Sequence, residues 1–223
     1  MRICLLTYDT PHKKTEHVFW GLHNQGVRNI GFLLMPFVSR AKRQVLLQHR
    51  PTQFEGVKPQ SLAAFSGGDI FRYSSWHETI DQYDFFLICG SNLIEPDFAN
   101  TGKVINSHAG LIPISRGLDS FKWSISENRR MGCTLHTINA QADSGTLLAH
   151  LDTPLFECDD LVSYAERHYL NEICMLINFK TMIARGDIFE DLGPANPPRK
   201  RMSQLVEKEM INSFNNYKSR FAV

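Results

Sequence analysis

The stretch INSHAGLIPISRG, Ile105–Gly117, joins an apolar strand to a group of polar and turn-forming residues. Asn106 and His108 stand at the end of the predicted strand Lys103–Asn106, and a glycine and a proline follow them. A turn needs only the glycine or the proline, because these residues supply the required backbone angles without an amide or an imidazole. We therefore predict that this strand ends in a functional site.

Predicted strands and helices alternate on both sides of this stretch. The strands are Ile3–Tyr8, Asn29–Phe37, Asp84–Gly90 and Lys103–Asn106, and a late, partly antiparallel pair covers Thr134–Ile138 and Leu147–Leu155. The helices run from a Thr15 cap to Gly26, around Pro96–Asn100, over Gly117–Asn128, and from Asp159 or Asp160 to about Arg185. Such alternation predicts an α/β fold, with a doubly wound, mostly parallel, Rossmann-like sheet and helices on both faces.

The domain organisation follows from the length and from the segments that lack this alternation. Residues 1–190 are predicted to form one α/β domain that carries the site, and residues 191–223 a linker with a short C-terminal helix over Met202–Phe221. That helix packs on its own domain or across a homodimer interface, and the sequence leaves both open. Ser39–Trp76 has only short apolar runs between turn and basic residues, so we predict that it lies outside the sheet.

Composition excludes several classes of protein. A formal net charge of +1 over 223 residues does not favour a protein that coats nucleic acid. The five cysteines are odd in number and lack C-x-x-C spacing, which predicts neither a disulfide framework nor a zinc site, and favours a reducing cytoplasm. No apolar run approaches the about 20 residues of a membrane span, and the N-terminal run is too short for a signal peptide.

Ligands of parallel sheets bind beyond the carboxyl ends of the strands. The residues at these ends are Tyr8–Thr10, Gly90–Ile94 and Asn106–His108. No G-x-G-x-x-G follows the first strand and no G-x-x-x-x-G-K-[ST] occurs, so the pattern disfavours a dinucleotide oxidoreductase and a P-loop enzyme. The histidines lack H-E-x-x-H or comparable spacing, and we predict no metal.

A longer set of motifs makes the chain recognisable. Asn106-x-His108 is followed in order by Gly110–Pro113, Arg116-Gly117, Trp123, Gly132–His136 and Asp143–Gly145. This set, from about Tyr83 to Phe156, resembles the folate-dependent formyltransferase family. That family includes glycinamide ribonucleotide formyltransferase, methionyl-tRNA formyltransferase and the sugar N-formyltransferases of surface-glycan synthesis.

The resemblance implies transfer of a formyl group from 10-formyltetrahydrofolate to a primary amine, with Asn106, His108 and Asp143 as the catalytic set. An amide such as that of Asn106 can stabilise the developing oxyanion. His108 can move a proton or assist that amide when charged, and Asp143 can pair with it or position a water. Because positions i and i+2 of a strand share a face, Asn106 and His108 can reach one carbon. Singly, each motif has a structural interpretation as a turn, and His136 is expected to be a core histidine.

The resemblance also implies a folate site made largely by backbone groups. In this chain it covers Asn92, Leu93 and Ile94, together with Ile138, Ala140 and Ala142 of the run Ile138–Ala142. Leu93 and Ile94 have an alternative interpretation as core residues. The Ile112–Pro113 bond is expected to be cis by the same resemblance.

The acceptor is inferred from departures within the family. Tyr8-Asp9-Thr10-Pro11 stands where glycinamide ribonucleotide formyltransferases have a glycine- and serine-rich phosphate loop, and the residues after Pro198 are too few for an RNA-binding domain. We therefore predict a nucleotide-linked deoxyamino sugar for surface polysaccharide, bound by Tyr8, Asp9, Thr10, Arg50 and Arg116. Arg116 has a second interpretation in fixing the loop after Pro113. The alternatives are transfer to a small amine, such as glycinamide ribonucleotide or an amino-acid derivative, and hydrolysis of 10-formyltetrahydrofolate.

Overall fold

A computed structural model describes residues 1–38, 44–141, 143–186 and 191–223 of the chain. Its sheet has seven strands in the order β3-β2-β1-β4-β5-β6-β7. The strands are β1 (Ile3–Tyr8), β2 (Gly31–Met35), β3 (Ile70–Arg72), β4 (Phe85–Ile88), β5 (Val104–His108), β6 (Gly132–Thr137) and β7 (Leu147–Asp152). β1 pairs in parallel with β2 and β4, β2 with β3, and β4 with β5, whereas β6 and β7 are antiparallel. The predicted α/β fold with a mostly parallel sheet is confirmed.

Eight α-helices connect and follow the strands in the described part of the chain. They are α1 (Lys13–Asn24), α2 (Pro59–Ser66), α3 (Trp76–Thr79), α4 (Pro96–Ala99), α5 (Ser120–Ser126), α6 (Leu161–Ile177), α7 (Phe179–Arg185) and α8 (Gln204–Phe221). Asp160 caps α6 as predicted: its side chain accepts a hydrogen bond from the Ser163 amide at 2.7 Å. The predicted helix from this cap to Arg185 is interrupted at Asn178, which separates α6 from α7.

Several predictions about the fold are wrong. Thr15 does not cap the first helix, because α1 begins at Lys13 with His12 at its N-cap position, and Thr15 lies inside it. The prediction that Ser39–Trp76 lies outside the sheet fails at Ile70–Arg72, which form β3, the edge strand beside β2, and residues 39–43 of that segment lie outside the described residues. Three residues, none of them fully buried, give no alternation that a sequence can reveal. The helix predicted over Gly117–Asn128 begins only at Ser120, since Gly117 and Asp119 have left-handed backbone angles, with φ of 91° and 55°.

The chain divides into two compact units, each with its own core. The first contains the described residues of the ranges 1–40, 52–106 and 137–140. One cluster of its buried side chains includes Leu6 of β1, Leu33 of β2, Phe86 of β4 and Phe98 of α4. Residues of this unit that stand at the carboxyl ends of β1, β2 and β4 lie at one edge of its sheet, because these strands are parallel.

The second unit contains the described residues of the ranges 41–51, 107–136 and 141–223. Its core joins Phe121 of α5, Tyr164 of α6 and the inner face of α8, which presents Met210, Phe214 and Tyr217. The C-terminal helix therefore packs on its own chain. No helix in the described residues has the length and apolar character that crossing a membrane requires.

Candidate active site

The end of β5 places the two polar residues of the N-x-H motif on one strand. Asn106 is half-buried, whereas Ser107 and His108 are buried. Within the second unit, His108 Nδ1 lies 3.3 Å from Oδ1 of Asp143. The histidine side chain is 8% exposed and the aspartate 17%, so the carboxylate is the more accessible member of the pair.

The other nitrogen of His108 faces two oxygen atoms. Nε2 is 3.0 Å from the Ser115 carbonyl oxygen and 3.2 Å from Oγ of Ser120. Ser120 donates its hydroxyl hydrogen to the Gly117 carbonyl at 3.1 Å, so its oxygen is an acceptor toward the ring. This hydrogen-bond network assigns a hydrogen to Nε2, and a second hydrogen on Nδ1 would complete the contact with the carboxylate. Both ring nitrogens are thus held by the protein.

Asp143 is held as firmly as the histidine. The Gly117 amide donates to its Oδ2 at 2.8 Å, which turns Oδ1 toward His108. Arg116 donates from Nε to the Asp143 carbonyl at 2.9 Å. Asp143 has φ of 48°, a left-handed conformation that aspartate tolerates better than most residues do. The loop after β5 therefore fixes both members of the pair.

This loop can approach the histidine closely because of Gly110. A Cβ at this position would lie 2.7 Å from Ser115 Oγ and 3.0 Å from His108 Nε2, which leaves no room for a side chain. Thr134 of β6 fastens the same turn by donating to the Gly110 carbonyl at 2.7 Å and accepting from the Ile112 amide at 2.9 Å. The Ile112–Pro113 bond is cis.

Sequence reasoning did not identify Ser115, Ser120 and the Gly117 amide as partners of the pair. Two of these contacts use backbone atoms, which leave no signature in the sequence. His136 is fully buried in β6 with its ring centroid 6.4 Å from that of His108, in line with its interpretation as a core residue.

The two arginines predicted to bind the acceptor point at protein groups. Arg116 reaches the Asp143 carbonyl and, at 3.4 Å, the carbonyl of Asn196. Arg50 forms an ion pair with the buried Glu172 and lies over the ring of Tyr169, 4.9 Å from its centroid. Burial lowers the pKa of Arg50, but the charge and hydrogen bond of Glu172, together with the neighbouring Tyr169, outweigh burial and raise the pKa above the ordinary value.

Two histidines near this ion pair are kept uncharged. Burial, with the neighbouring charge of Arg50, lowers the pKa of His49 to about 3. Burial also lowers the pKa of His168 to about 4, although the charge of Glu172 opposes the shift. His168 contacts Thr153 Oγ1 at 2.8 Å, so it has a structural partner. Neither histidine is suited to move protons near neutral pH.

The predicted folate loops have mixed environments in the first unit. Leu93 is 95% exposed, so it is not a core residue, whereas Ile94 and Ile138 pack against the core of the unit. Asn92 donates from its side chain to the Pro36 carbonyl at 3.1 Å. The amide of exposed Ala140 is 3.3 Å from Oδ1 of Asn100. Ala142 lies outside the described residues.

The loop after β1 is accompanied by aromatic side chains that sequence reasoning missed. Tyr8 donates its hydroxyl to the Ser91 carbonyl at 2.6 Å, Asp9 accepts from the Phe37 amide at 2.9 Å, and Thr10 is half-buried. Phe37 and Phe54 remain 41% and 48% exposed, with their ring centroids 4.8 Å apart, and Tyr8 lies 5.3 Å from Phe37. Exposed aromatic rings at strand ends are suited to stacking on a flat ligand.

The described residues contain no cluster of side chains suited to bind a metal ion. Across residues 1–38, 44–141, 143–186 and 191–223, no group of three or more His, Cys, Asp or Glu side chains is arranged to hold a metal ion. The five cysteines all lie in these ranges as free thiols.

Comparison with known proteins supports the family resemblance. Residues 83–178 match the family model of the formyl transferases. This range contains Asn106, His108, Asp143 and the loop that holds them. The resemblance to the folate-dependent formyltransferases that the motifs predict is therefore confirmed.

The chain aligns with only part of the length of its curated relatives. The trifunctional purine biosynthetic protein adenosine-3 of Chironomus tentans is 27% identical over 116 residues, covering 49% of this chain and 8% of that protein. A methionyl-tRNA formyltransferase of Sulfurihydrogenibium sp. (strain YO3AOP1) is 23% identical over 208 residues, covering 86% of this chain and 66% of that enzyme. The chain thus spans less than two thirds of the length of these relatives.

Solved structures share the fold at low identity. A phosphoribosylglycinamide formyltransferase of Anaplasma phagocytophilum has a TM-score of 0.62 at 17% identity, covering 83% of this chain and 87% of that one. A sugar N-formyltransferase of Shewanella sp. FDAARGOS_354 has a TM-score of 0.60 at 18% identity, covering 95% and 87%. The formyltransferase PseJ of Anoxybacillus kamchatkensis, in complex with a UDP-linked formamido sugar and tetrahydrofolate, has a TM-score of 0.50 at 18% identity, covering 91% and 84%.

Proposed function

From the match to the formyl transferase family, we propose that this protein transfers a formyl group from 10-formyltetrahydrofolate to the amino group of a nucleotide-linked deoxyamino sugar used for surface polysaccharide. The observation that carries the proposal is the contact of His108 with Asp143, held by the loop after β5 within the family-matched range. Ordinary core histidines need one hydrogen-bond partner, whereas this ring has an acceptor at each nitrogen and a carboxylate that remains partly accessible.

The chemistry assigns one task to each of the three residues. As the amine nitrogen bonds to the formyl carbon, negative charge develops on the formyl oxygen, and the Asn106 amide donates a hydrogen bond to it. His108 supports this charge from the same strand. Asp143, the more accessible member of the pair, accepts the amine proton through a water. The bond from the formyl carbon to N10 of the folate then breaks, and N10 takes up a proton, which gives the formamide and tetrahydrofolate.

The loop after β4 has features that suit a folate. Leu93 is exposed, and neither it nor Ile94 has a backbone hydrogen bond within the described residues. The backbone amides and carbonyls of Leu93 and Ile94 would be available to a pterin ring, whose edge carries hydrogen-bond donors and acceptors. When bound, the folate supplies the formyl group, and Asn92, Ile138, Ala140 and Ala142 are the further residues that we assign to this site. No metal takes part in the proposal.

The aromatic side chains of the first unit support a nucleotide-linked acceptor. A nucleobase offers a flat face that Tyr8, Phe37 or Phe54 could stack on, which a small amine lacks. Asp9, Thr10 and Arg116 remain predicted acceptor contacts. The proposal includes a cytoplasmic enzyme, which the free thiols support, and homodimer formation remains a prediction that sedimentation would test.

The decisive experiment follows the loss of 10-formyltetrahydrofolate spectrophotometrically with a panel of amines. The panel contains UDP- and dTDP-linked amino sugars, glycinamide ribonucleotide and an ornithine derivative, and formate is measured without any amine. We expect turnover with an amino sugar, and mass spectrometry should find one added formyl group on the sugar.

Other outcomes would replace the proposal in defined ways. Turnover with glycinamide ribonucleotide or ornithine alone would retain formyl transfer and overturn the sugar assignment. Steady formate release that no amine accelerates would identify a hydrolase. Absence of any turnover by a folded protein would overturn the enzymatic proposal as a whole.

A further inference from the structure

A segment near the C-terminus crosses the loop that holds the His108–Asp143 pair. We call Asn196–Met202 the C-terminal strap. It follows the family-matched residues 83–178, and its sequence, NPPRKRM, indicates only a linker. All of its contacts described below lie within the second unit of the chain.

Backbone hydrogen bonds join the strap to the loop. The Arg199 amide donates to the Arg116 carbonyl at 2.9 Å, and the Leu118 amide donates to the Arg199 carbonyl at 2.8 Å. These bonds make a short parallel bridge between Gly117 and Arg199. Gly117 has φ of 91°, and a Cβ there would lie 2.3 Å from the Arg199 carbonyl oxygen. Glycine is therefore required by both the backbone angle and the strap.

Side chains extend the contact at both ends of the strap. Asn196 donates from Nδ2 to the Ile114 carbonyl at 2.7 Å, and its amide donates to the Pro113 carbonyl at 3.0 Å. At the other end, Trp123 donates from Nε1 to the Lys200 carbonyl at 2.8 Å. The Met202 amide donates to Oδ2 of Asp119 at 3.0 Å.

The same loop contacts the reacting pair directly. Ser115 presents its carbonyl to His108, Gly117 presents its amide to Asp143, and Arg116 binds the Asp143 carbonyl. Residues 114–118 thus lie between the strap and the pair, with hydrogen bonds to each. A shift of the loop would move an acceptor of His108 and a donor to Asp143 together.

We infer that the C-terminal strap is a positioning element of the active site, and that Asn196 is a positioning residue that acts through Ile114 and the adjoining loop. The inference rests on the proposed function for its kinetic consequence, but not for its structural one. A displacement of about 1 Å in a catalytic constellation can reduce the rate by up to roughly 100-fold, although the altered residue never touches the substrate.

The test compares two substitutions of the same chemical kind. Asn196→Asp removes the donor to the Ile114 carbonyl, and Asn215→Asp makes the same change on the exposed side of α8. We expect Asn196→Asp to lower kcat about tenfold with KM for the acceptor unchanged, since the strap affects geometry and not ground-state binding. We expect Asn215→Asp to behave as the unaltered protein.

A spectroscopic readout separates positioning from general destabilisation. The ¹⁵N imidazole signals of His108, identified by their loss in His108→Asn, report the hydrogen bonds at both ring nitrogens. They should shift in Asn196→Asp and stay in place in Asn215→Asp. This readout needs no substrate, so it tests the strap even if the proposed enzymatic activity proves wrong.

Trp123→Phe provides a second variant if Asn196→Asp does not fold. It removes the donor to the Lys200 carbonyl and keeps the aromatic ring, and we expect a smaller shift of the same His108 signals. Unchanged His108 signals in the folded variants, with or without a lower melting temperature, would overturn the inference. Unchanged kcat in an active enzyme would overturn it as well.

Discussion

The surroundings of His108 and the strand ends of the first unit differ in how their polar and aromatic groups are used. At His108, each ring nitrogen and each carboxylate oxygen of Asp143 has a protein partner within 3.3 Å. At the strand ends, Leu93 and Phe37 are substantially exposed, as is Phe54, whose ring contacts that of Phe37. The contrast separates a fixed region around His108, whose groups are held by the protein, from an open region at the strand ends, which we propose is covered by a ligand.

The largest effect, a loss of kcat, is expected from a substitution of Asp143 in the fixed region. Asp143→Asn keeps an oxygen that can accept from the Gly117 amide, and asparagine tolerates the left-handed backbone, so the fold should persist. It removes the carboxylate that we propose accepts a proton, and kcat should fall about 1,000-fold. Asp152→Asn, at an exposed ion pair with Arg130, makes the same change of charge and should leave kcat intact. Near-normal transfer by Asp143→Asn would contradict the proposed role.

A second prediction asks whether Arg50 belongs to the fixed region or to the open one. Glu172→Gln removes the buried charge opposite Arg50, and the free energy of unfolding in urea should fall by about 3 kcal/mol. Glu166→Gln, an exposed position on the same helix, should change it by less than about 0.5 kcal/mol. If Glu172→Gln instead raised KM for the acceptor at unchanged stability, Arg50 would be a binding residue, as the sequence suggested.

The crowding at Gly117 gives a third, smaller effect. Gly117 and Gly193 have nearly the same φ, 91° and 88°, but a Cβ at Gly193 would meet nothing within 4 Å. Gly193→Ala should therefore cost only the backbone strain, about 1 kcal/mol, whereas Gly117→Ala should cost about 2 kcal/mol or more. Urea unfolding of the two variants measures the difference. Equal losses of unfolding free energy in the two variants would show that the strap shifts to accommodate an added methyl group.

The smallest effect is expected in the open region. Phe54→Ser removes one exposed ring and should raise KM for a nucleotide-linked acceptor about tenfold, with no loss of stability. Phe65→Ser, at another exposed phenylalanine of the first unit, serves as the control and should leave KM unchanged. Equal KM values for Phe54→Ser and the unaltered enzyme would exclude stacking at this position.

Parts of the molecule with a local sequence pattern were the easiest to predict. β1 has the predicted bounds Ile3–Tyr8, because a continuous run of strand length, five of whose six residues are buried, is typical of a buried strand. Asn106, His108 and Asp143 could be singled out because the motif set keeps its order along the chain. The backbone partners of the pair, from Ser115 and Gly117, could not be, since any residue type supplies a carbonyl or an amide.

Long-range contacts explain most of what the sequence could not provide. Arg50 was expected to bind a ligand, but its partner Glu172 is 122 positions away, and no local pattern connects them. β3 was missed because its strand conformation depends on pairing with β2 and not on a pattern in its own three residues. The exposure of Phe37 and Phe54 likewise depends on tertiary structure, since apolar residues ordinarily predict a core.

The strap follows the loop that it holds by a long stretch of chain, since Asn196 and Ile114 are 82 positions apart. Contacts of such separation carry a large loop-closure entropy and form late in folding. During synthesis, all three residues of the proposed catalytic set leave the ribosome before the strap is made. A nascent chain therefore contains the catalytic residues before the strap can hold the loop that positions them. Pulsed hydrogen exchange during refolding should accordingly find the Leu118 and Arg199 amides protected after those of β1 and β2.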